Sequence, residues 1–568
     1  MRRFALASGV AMMTLLAACY SDTTTSGQHE AEEAYAAPSP TPPPPPPPPP
    51  GYSAQKRAMS DVTATAGGAP SPALAEIPAQ VTPAPEDRDR YEDVQINPVK
   101  LVSEEPVSTF SIDVDTASYA NIRSMLSDGF MPPKDAVRIE EMINYFDYAY
   151  PQTASRDEPF ASHVTLTPSP WAEDRELLHI GIQGFDIERD KQPPMNLTLL
   201  VDVSGSMNSP NKLPLAKKAL KMLIDQMDEN DHVSIVVYAG AAGAVLDPTP
   251  GSDKSKIFAA LDNLSAGGST AGGEGLRLAY ALAEQNFDED SVNRVMLLTD
   301  GDFNVGVTSD ERLEDFVSRK RESGLYLSVL GFGRGNYNDA MMQKIAQAGN
   351  GMASYIDTLN EARKVLADDL SGSIFPIAND VKIQVEFNPA RAKEYRLIGY
   401  ETRILNREDF NNDKVDAGDI GAGHSVTAIY ELTPVGEKGL IDESRYSEKE
   451  ETTANSNEWA FLKMRYKTPG EDTSKLTTTP VTDEMAISSF DEAPQYVRFA
   501  TAVAGFGQLL RGDPYLDDAF DYDAIIDLGN ASKGPDAYGY RAEFVQLARI
   551  AKSAAAQESL ENSSGGGD

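Results

Sequence analysis

The strongest constraint on the fold of this 568-residue chain is an alternation of apolar runs and amphipathic segments across residues 193–372. The apolar runs are MNLTLLVDVS, HVSIVVYA, RVMLLTDG and LYLSVLGFG, and segments with helical spacing separate them. Continuous apolar runs are typical of parallel strands that helices cover on both faces. The alternation therefore predicts an α/β domain with a doubly wound parallel sheet. Ligands of such sheets bind at the carboxyl ends of the strands.

The regions on either side have a different pattern. Residues 96–192, before the α/β domain, contain both strand-like and helical segments and form an α+β region, and residues 373–485, after it, contain strands with alternating apolar and polar residues. We therefore expect the α/β domain to be flanked by, or inserted into, a β-rich, sandwich-like unit that both flanks build. Residues 486–556 are predicted to be helical, and residues 557–568 to form a disordered tail.

The first residues of the sequence predict a targeting signal. Two arginines precede a short apolar run that is too short to cross a bilayer. The run ends in Leu16, Ala17, Ala18 and Cys19, which resembles the lipobox of bacterial lipoproteins and predicts a signal peptide over residues 1–18. The resemblance implies that Cys19, the only cysteine, carries the lipid that anchors the protein to a bacterial membrane. The alternative is an ordinary signal peptide with an incidental cysteine.

Tyr20, rather than aspartate, follows the cysteine, and enterobacterial sorting rules then favour the outer membrane. Residues 19–95 are rich in proline, alanine, threonine and serine and are predicted to form a disordered tether. Its proline tract, residues 42–50, is expected to form a stiff rod of about 28 Å at ~3.1 Å per residue.

Charge excludes some partners. The chain has 87 aspartates and glutamates against 50 lysines and arginines, which gives a formal net charge of −37. Nucleic acid and anionic membrane surfaces would repel such a chain, so no nucleic-acid partner is expected. The same charge favours cations.

Five oxygen-bearing residues of the α/β segment lie in three loops, each at a predicted strand end. They are Asp202, Ser204 and Ser206 in DVSGSM, Thr270 in GGST, and Asp300 in TDGD. Carboxylates and hydroxyls are the ligands that a hard divalent cation takes in proteins. The alternative is that the hydroxyls cap helices, but capping accounts for neither acid.

The order and spacing of these residues resemble the metal-ion-dependent adhesion site of von Willebrand factor type A (VWA) domains. The resemblance implies that Ser204 and Ser206 bind the ion directly, and Thr270 directly or through water. Asp202 and Asp300 contribute charge, often through water. A carboxylate from a protein partner fills the remaining position. The implied cofactor is one divalent cation, magnesium before manganese or calcium, and an ion that is only structural remains an alternative.

A wider resemblance covers residues 96–555. The segments STFSIDVDTASYANIRSML, VRIEEMINYF and YRLIGYETRILNREDFNN resemble the flanking regions of bacterial VWA lipoproteins of the YfbK type. This resemblance supports the predicted architecture more strongly than the predicted function.

Catalytic motifs are absent from the sequence. The five histidines form no zinc-ligand pair, and neither a GxSxG elbow nor a phosphate loop occurs. We therefore expect a non-enzymatic binding or scaffolding protein without a small-molecule cofactor. The alternatives are an envelope enzyme or processing factor with an unrecognised site, and a structural envelope component.

Overall fold

The computed structural model of the protein describes residues 91, 95–153, 158–268, 272–301, 310–334, 338–442, 457–517 and 519–564. The predicted signal peptide, the lipidation site Cys19, the tether up to residue 90 and the candidate ligand Thr270 lie outside these residues. Among the described helices, none is both long and apolar enough to cross a membrane.

The N-terminal flank contains four strands and two helices. They are β1 (Lys100–Leu101), β2 (Val107–Ser111), α1 (Ala117–Ser127), α2 (Ile139–Asn144), β3 (Phe160–Pro168) and β4 (Glu176–Gly184).

The central domain follows, with the predicted alternation. Its elements are β5 (Met195–Asp202), α3 (Leu213–Gln226), β6 (His232–Tyr238), β7 (Ala242–Pro250), α4 (Lys254–Asp262), α5 (Gly272–Gln285), β8 (Val292–Thr299), α6 (Asp310–Glu322), β9 (Leu325–Phe332), α7 (Asp339–Ala348), β10 (Ala353–Ile356), α8 (Leu359–Arg363) and α9 (Leu370–Ile374). A short π-helix, Lys364–Asp368, joins α8 to the segment before α9.

The C-terminal flank contains six strands and then three helices. They are β11 (Pro376–Phe387), β12 (Ala392–Ile398), β13 (Gly418–Gly421), β14 (Ser425–Pro434), β15 (Glu458–Lys467), β16 (Lys475–Thr482), α10 (Gln495–Arg511), α11 (Tyr522–Ser532) and α12 (Tyr540–Ser564).

The central sheet has six strands in the order β10-β9-β8-β5-β6-β7. Every neighbouring pair is parallel except β6 and β7, so the predicted doubly wound sheet is confirmed, with an antiparallel strand added at one edge. Successive residues of β5 face opposite sides: Leu199 joins the core beneath α3 and α4, and Leu200 joins the core beneath α5. Helices on both faces explain why these strands are apolar throughout.

Strand β7 was not predicted. It contains Pro248 and Pro250 and is mostly partly buried or exposed, and proline within a sheet is confined to edges because it cannot donate a ladder hydrogen bond. Its weak apolar pattern is therefore that of an edge strand and differs from the continuous apolar runs of the buried strands.

The flanks form two antiparallel sheets that share one apolar core. One has the order β1-β12-β14-β4-β3, and the other has the order β13-β11-β15-β16 with β2 beside β11. Each sheet combines strands from both flanks, since β4 pairs with β14 and β2 pairs with β11. The central domain is thus inserted into a sandwich that both flanks build, as predicted.

The C-terminal helices pack on α1 and α2 through a separate apolar cluster. Three rings meet edge to face at its centre: Phe146 lies 5.1 Å from Phe499 and 5.9 Å from Phe544, measured between ring centroids. The predicted helical region therefore serves as a further layer on the N-terminal flank.

Two predicted boundaries are wrong. Helix α12 continues to Ser564 instead of ending at residue 556, because glutamine, glutamate and leucine in residues 557–561 favour helix and the first glycine comes after Ser564. Tyr91, assigned to the tether, accepts a hydrogen bond of 2.7 Å from Asn121 Nδ2 on α1. The folded part therefore begins before residue 96.

Candidate metal site

The two acidic candidates lie side by side at one edge of the central sheet. Asp202 is the last residue of β5, and Asp300 directly follows β8. The two strands are parallel neighbours, with Val201 paired to Leu298, so their carboxyl ends meet at the same edge. Both aspartates are completely buried.

Burial raises the pKa of Asp202 to about 6, and the nearby charge of Asp300 acts in the same direction. Hydrogen bonds from Ser204 oppose this shift. The principal groups acting on Asp202 are Ser204, Asp300 and Tyr238, and none of them carries positive charge. The site therefore holds a carboxylate whose negative charge is poorly compensated.

The two serines continue from the same strand end. Asp202 Oδ1 accepts a hydrogen bond of 2.8 Å from the backbone N–H of Ser204, and the hydroxyl oxygens of Ser204 and Ser206 lie 3.0 Å apart. The sharp turn after β5 thus places both hydroxyls beside the buried carboxylate. Four of the five predicted ligands, Asp202, Ser204, Ser206 and Asp300, lie on the loops that leave these two neighbouring strands.

The loop that leads to Thr270 is attached to this turn. The backbone N–H of Gly205 donates to the carbonyl of Gly268 over 3.1 Å, and the N–H of Gly267 donates to the carbonyl of Val203 over 2.7 Å. Gly268 adopts a φ of +88°, which glycine tolerates best. The last described residue before Thr270 is therefore held beside the serine turn.

Lys212 is a site residue that sequence reasoning missed. Its Nζ donates to Asp300 Oδ2 over 2.8 Å, and both side chains are buried. Gly333 makes room for the lysine, because a Cβ there would lie 2.4 Å from Lys212 Cε. A lysine just before a helix is normally solvated, so no signal in the sequence distinguished this one.

The residues present fit a divalent cation. Among the described residues, the buried ammonium of Lys212 contacts Asp300 and no lysine or arginine contacts the buried Asp202, so a cation near Asp202 would find an unneutralised carboxylate. Within the described ranges, no group of three or more histidine, cysteine, aspartate or glutamate side chains could hold a metal. Hydroxyl oxygens would therefore have to complete the coordination, as magnesium and calcium permit.

Comparisons with known families agree with this organisation. A model of the von Willebrand factor type A domain matches residues 196–368, and a von Willebrand factor model matches residues 85–179. A model of the C-terminal region of the uncharacterised protein YfbK matches residues 372–554.

Similar proteins come from bacteria and animals. The uncharacterised protein YfbK of Escherichia coli (strain K12) is 46% identical over 470 residues, which cover 81% of each chain. Inter-alpha-trypsin inhibitor heavy chain H3 of Homo sapiens is 26% identical over 257 residues, 42% of this chain and 28% of that one.

A solved structure of proximal thread matrix protein 1 from the mussel byssus, with a zinc-occupied adhesion motif, covers 31% of this chain and 45% of its own. It is 24% identical and has a TM-score of 0.27. The identity to YfbK extends through the central domain and both flanks. The chain therefore belongs to the YfbK family, and its central domain is a VWA domain.

Proposed function

We propose that this protein is a non-enzymatic, lipid-anchored envelope protein whose VWA domain binds one divalent cation and uses it to hold a carboxylate of a protein partner. The observation that carries the proposal is the position of Asp202. Its buried, poorly compensated carboxylate lies beside the hydroxyls of Ser204 and Ser206 and within the field of Asp300. Such an arrangement supports binding of a hard cation.

The proposed ligands are Asp202, Ser204, Ser206, Thr270 and Asp300. A bound magnesium ion, or alternatively manganese or calcium, would supply a positive centre with one position for an oxygen from outside the chain. The serines contribute neutral oxygens, so they orient the ion without reducing its charge.

Lys212 also affects the charge that the ion would meet. Its ammonium already neutralises part of the charge of Asp300, so the ion would face less negative charge from the protein. An ion that the protein neutralises incompletely keeps its attraction for a further carboxylate, which favours binding of an acidic group from a partner.

The location follows from the lipobox-like sequence. In this proposal Cys19 carries the acyl chains, residues 19–90 form the tether, and the outer membrane holds the protein. The formal charge of −37 supports a protein partner over nucleic acid, because phosphates would be repelled.

Metal binding is tested first. Magnesium is titrated into the full chain by calorimetry, with Asp202→Ala as the variant and Asp290→Ala, an exposed aspartate of the same domain, as the matched control. We expect Asp202→Ala to lower the affinity by about tenfold or more, while the control binds as the wild type does. Unchanged affinity in Asp202→Ala would refute the site assignment.

Partner binding is tested by crosslinking in cells, with capture in magnesium and in chelator. A partner that is lost in chelator and in Asp202→Ala supports metal-dependent adhesion. A partner retained under both conditions would contradict it and favour a structural ion, and turnover of a substrate by the purified chain would contradict the non-enzymatic assignment.

The anchor has a separate test. Metabolic labelling with palmitate and membrane fractionation are compared between the wild type and Cys19→Ser. Label and membrane association should both disappear in the variant, and a labelled or membrane-bound Cys19→Ser protein would exclude Cys19 as the lipid attachment site.

A further inference from the structure

A cavity of about 250 Å³ lies where the VWA domain meets the sandwich. Three segments form much of its wall: the connection before α1, the turn between α7 and β10, and strand β13. Arg294, near the start of β8, contributes a buried cationic side chain. Asp300 lies beyond the other end of the same strand, about 20 Å away at ~3.3 Å per residue, so this cavity is separate from the metal site.

Arg294 is a buried cation without a carboxylate partner among the described residues. It is 3% exposed, its Nη1 donates to Ser328 Oγ over 2.7 Å, and its Nε has no hydrogen-bond partner. Its guanidinium carbon lies 5.5 Å from the ring centroid of Tyr326. Burial lowers the pKa of Arg294 to about 10, as expected for a charge with little compensation.

Other buried arginines of the described chain are paired. Each of them has a nitrogen within 2.9 Å of a carboxylate oxygen, and they are Arg123, Arg138, Arg396 and Arg511. Leaving one cation of a buried pair alone is strongly unfavourable, so a buried arginine normally has an anionic partner. Arg294 departs from this pattern at the wall of a cavity.

Asp419 is the anionic counterpart on the opposite side of the junction. It lies on β13, lines the same cavity and accepts hydrogen bonds from Asn379 Nδ2 over 2.7 Å and from the N–H of Asp380 over 3.1 Å. No lysine or arginine of the described residues forms an ion pair with it. Burial, together with the charges of Asp380 and Asp416, raises the pKa of Asp419 to about 7.

The remaining charged groups of the wall are already paired. Arg403 contacts Asp113 over 2.9 Å and Asp115 over 3.0 Å, and Asp416 contacts Arg321 over 2.8 Å.

Arg294 and Asp419 are therefore the two lining groups without an opposite charge in contact. The charge of Asp419 acts on Arg294, yet the two form no ion pair, so their charged atoms are not in direct contact although both line the cavity.

We propose that this cavity binds a small zwitterion of the α-amino-acid class, with its carboxylate on Arg294 and its ammonium on Asp419. The cavity is smaller than pockets for drug-sized ligands, which begin near ~300 Å³, and its position at a domain junction is common for small-molecule sites. Arginine binds a carboxylate in a bidentate geometry, with two parallel N–H···O hydrogen bonds, which lysine cannot form. The bound molecule would connect the VWA domain to the sandwich, and its role goes beyond the proposed adhesion.

The test measures the thermal unfolding temperature of the full chain with each of the common α-amino acids. The same amino acids are also supplied as N-acetyl and methyl-ester derivatives, which each lack one of the two charges. We expect at least one free amino acid to raise the unfolding temperature in a concentration-dependent way, because a ligand that binds only the folded state stabilises it. Both derivatives of that amino acid should give no shift.

Arg294→Gln and Asp419→Asn should each abolish the shift, while Arg277→Gln, at an exposed arginine of the same domain, should retain it. Because the charge of Arg294 has no contacting counter-ion, Arg294→Gln is expected to fold, which circular dichroism checks. If it does not fold, Asp419→Asn and the two derivatives still decide the question.

Three results would overturn the proposal: no shift with any free amino acid, a shift that persists in Asp419→Asn, or a high-resolution structure from saturating amino acid with only water in the cavity. None of these results depends on metal binding at Asp202, so failure here is distinguishable from failure of the adhesion site.

Discussion

The edge of the central sheet that carries the candidate metal residues, here called the metal edge, and the junction of the VWA domain with the flanking units differ in how their buried carboxylates contact positive charge. At the metal edge, Asp202 and Asp300 face one cation, Lys212. At the junction, Arg123 on α1 contacts Asp357 over 2.5 Å, Glu361 over 2.7 Å and Glu543 over 2.9 Å. One arginine thereby connects the N-terminal flank, the VWA domain and α12.

A second arginine of the junction repeats the pattern. Arg138, just before α2, contacts Glu141 on α2 and lies 2.6 Å from Asp339 on α7 of the VWA domain. At the junction, each of these carboxylates therefore contacts an arginine, whereas at the metal edge Asp202 contacts no lysine or arginine of the described residues. The difference predicts that the two regions respond differently to mutation and to metal.

The largest effect is expected at the junction. Arg123→Ala leaves three carboxylates without their shared cation, two of them almost fully buried. We expect a loss of about 3–5 kcal/mol in the free energy of unfolding, measured with denaturant, because removing one partner of a buried pair leaves an uncompensated charge. Magnesium should not restore it. Recovery in magnesium would break the distinction between the two regions.

A smaller effect, dependent on metal, is expected at the metal edge. Lys212→Met removes the cation that faces Asp300, so the protein without metal should lose about 2–3 kcal/mol. Magnesium should restore part of this loss, because two buried carboxylates then face the ion without competition. Equal losses with and without magnesium would mean that Lys212 acts through packing alone.

The junction should also make the stability of the protein depend on pH. Burial raises the pKa of Glu140 from 4.5 to about 8, and Glu401, Asp113 and Glu141 add to the effect. The folded state then keeps its proton between these values while the unfolded state loses it, so stability falls as pH rises from about 4.5 to 8.

Glu140→Gln stays neutral and should flatten this part of the profile. We expect the variant to exceed the wild type at pH 6 by ~2 kcal/mol and to match it near pH 4. Denaturant unfolding at a series of pH values measures both. If the free energy of unfolding fell equally with pH in both proteins, groups other than Glu140 would cause the pH dependence.

The smallest effect is expected at a surface pair. Lys191 and Glu188 are in contact, but their side chains are 64% and 69% exposed. Solvent screens such a pair, so Lys191→Ala should leave the unfolding midpoint unchanged. A clear fall in the unfolding midpoint would show that exposed ion pairs also contribute to stability, as the buried pairs are expected to do.

The sequence predicted that Asp202 and Asp300 lie together because each follows an apolar run, and the carboxyl ends of adjacent parallel strands meet at one edge. It did not locate Lys212, since a lysine before a helix usually faces solvent. Its burial depends on the close approach of Gly333, which is distant in sequence. Contacts of this kind require the assembled fold.

The same limit applies to Arg294. A charged residue near the start of an apolar strand gives no sign of a cavity, because the opposite wall comes from β13 in the later flank. The sandwich itself was predictable, because β15 alternates between buried and partly exposed residues, as a half-covered strand does. The central strand β14 is buried along most of its length and lacks that alternation.

The insertion of the VWA domain into the sandwich predicts that the two parts of the chain fold in a set order. The sandwich strand β4 ends at Gly184 and β11 begins at Pro376, and a Cβ on Gly184 would lie 3.0 Å from Ile377 Cδ1, so the chain returns to where it left. Closing the same span as an unfolded loop would cost about 5 kcal/mol in chain entropy.

If the VWA domain folds first, its two ends are already adjacent when the later strands emerge from the ribosome. Pairing of the sandwich strands then needs no further loss of chain entropy over this span. We therefore expect β4 and β2 to pair with β14 and β11 only after the inserted domain has folded. Variants that slow its folding should delay the whole protein, even where they touch no residue of the sandwich.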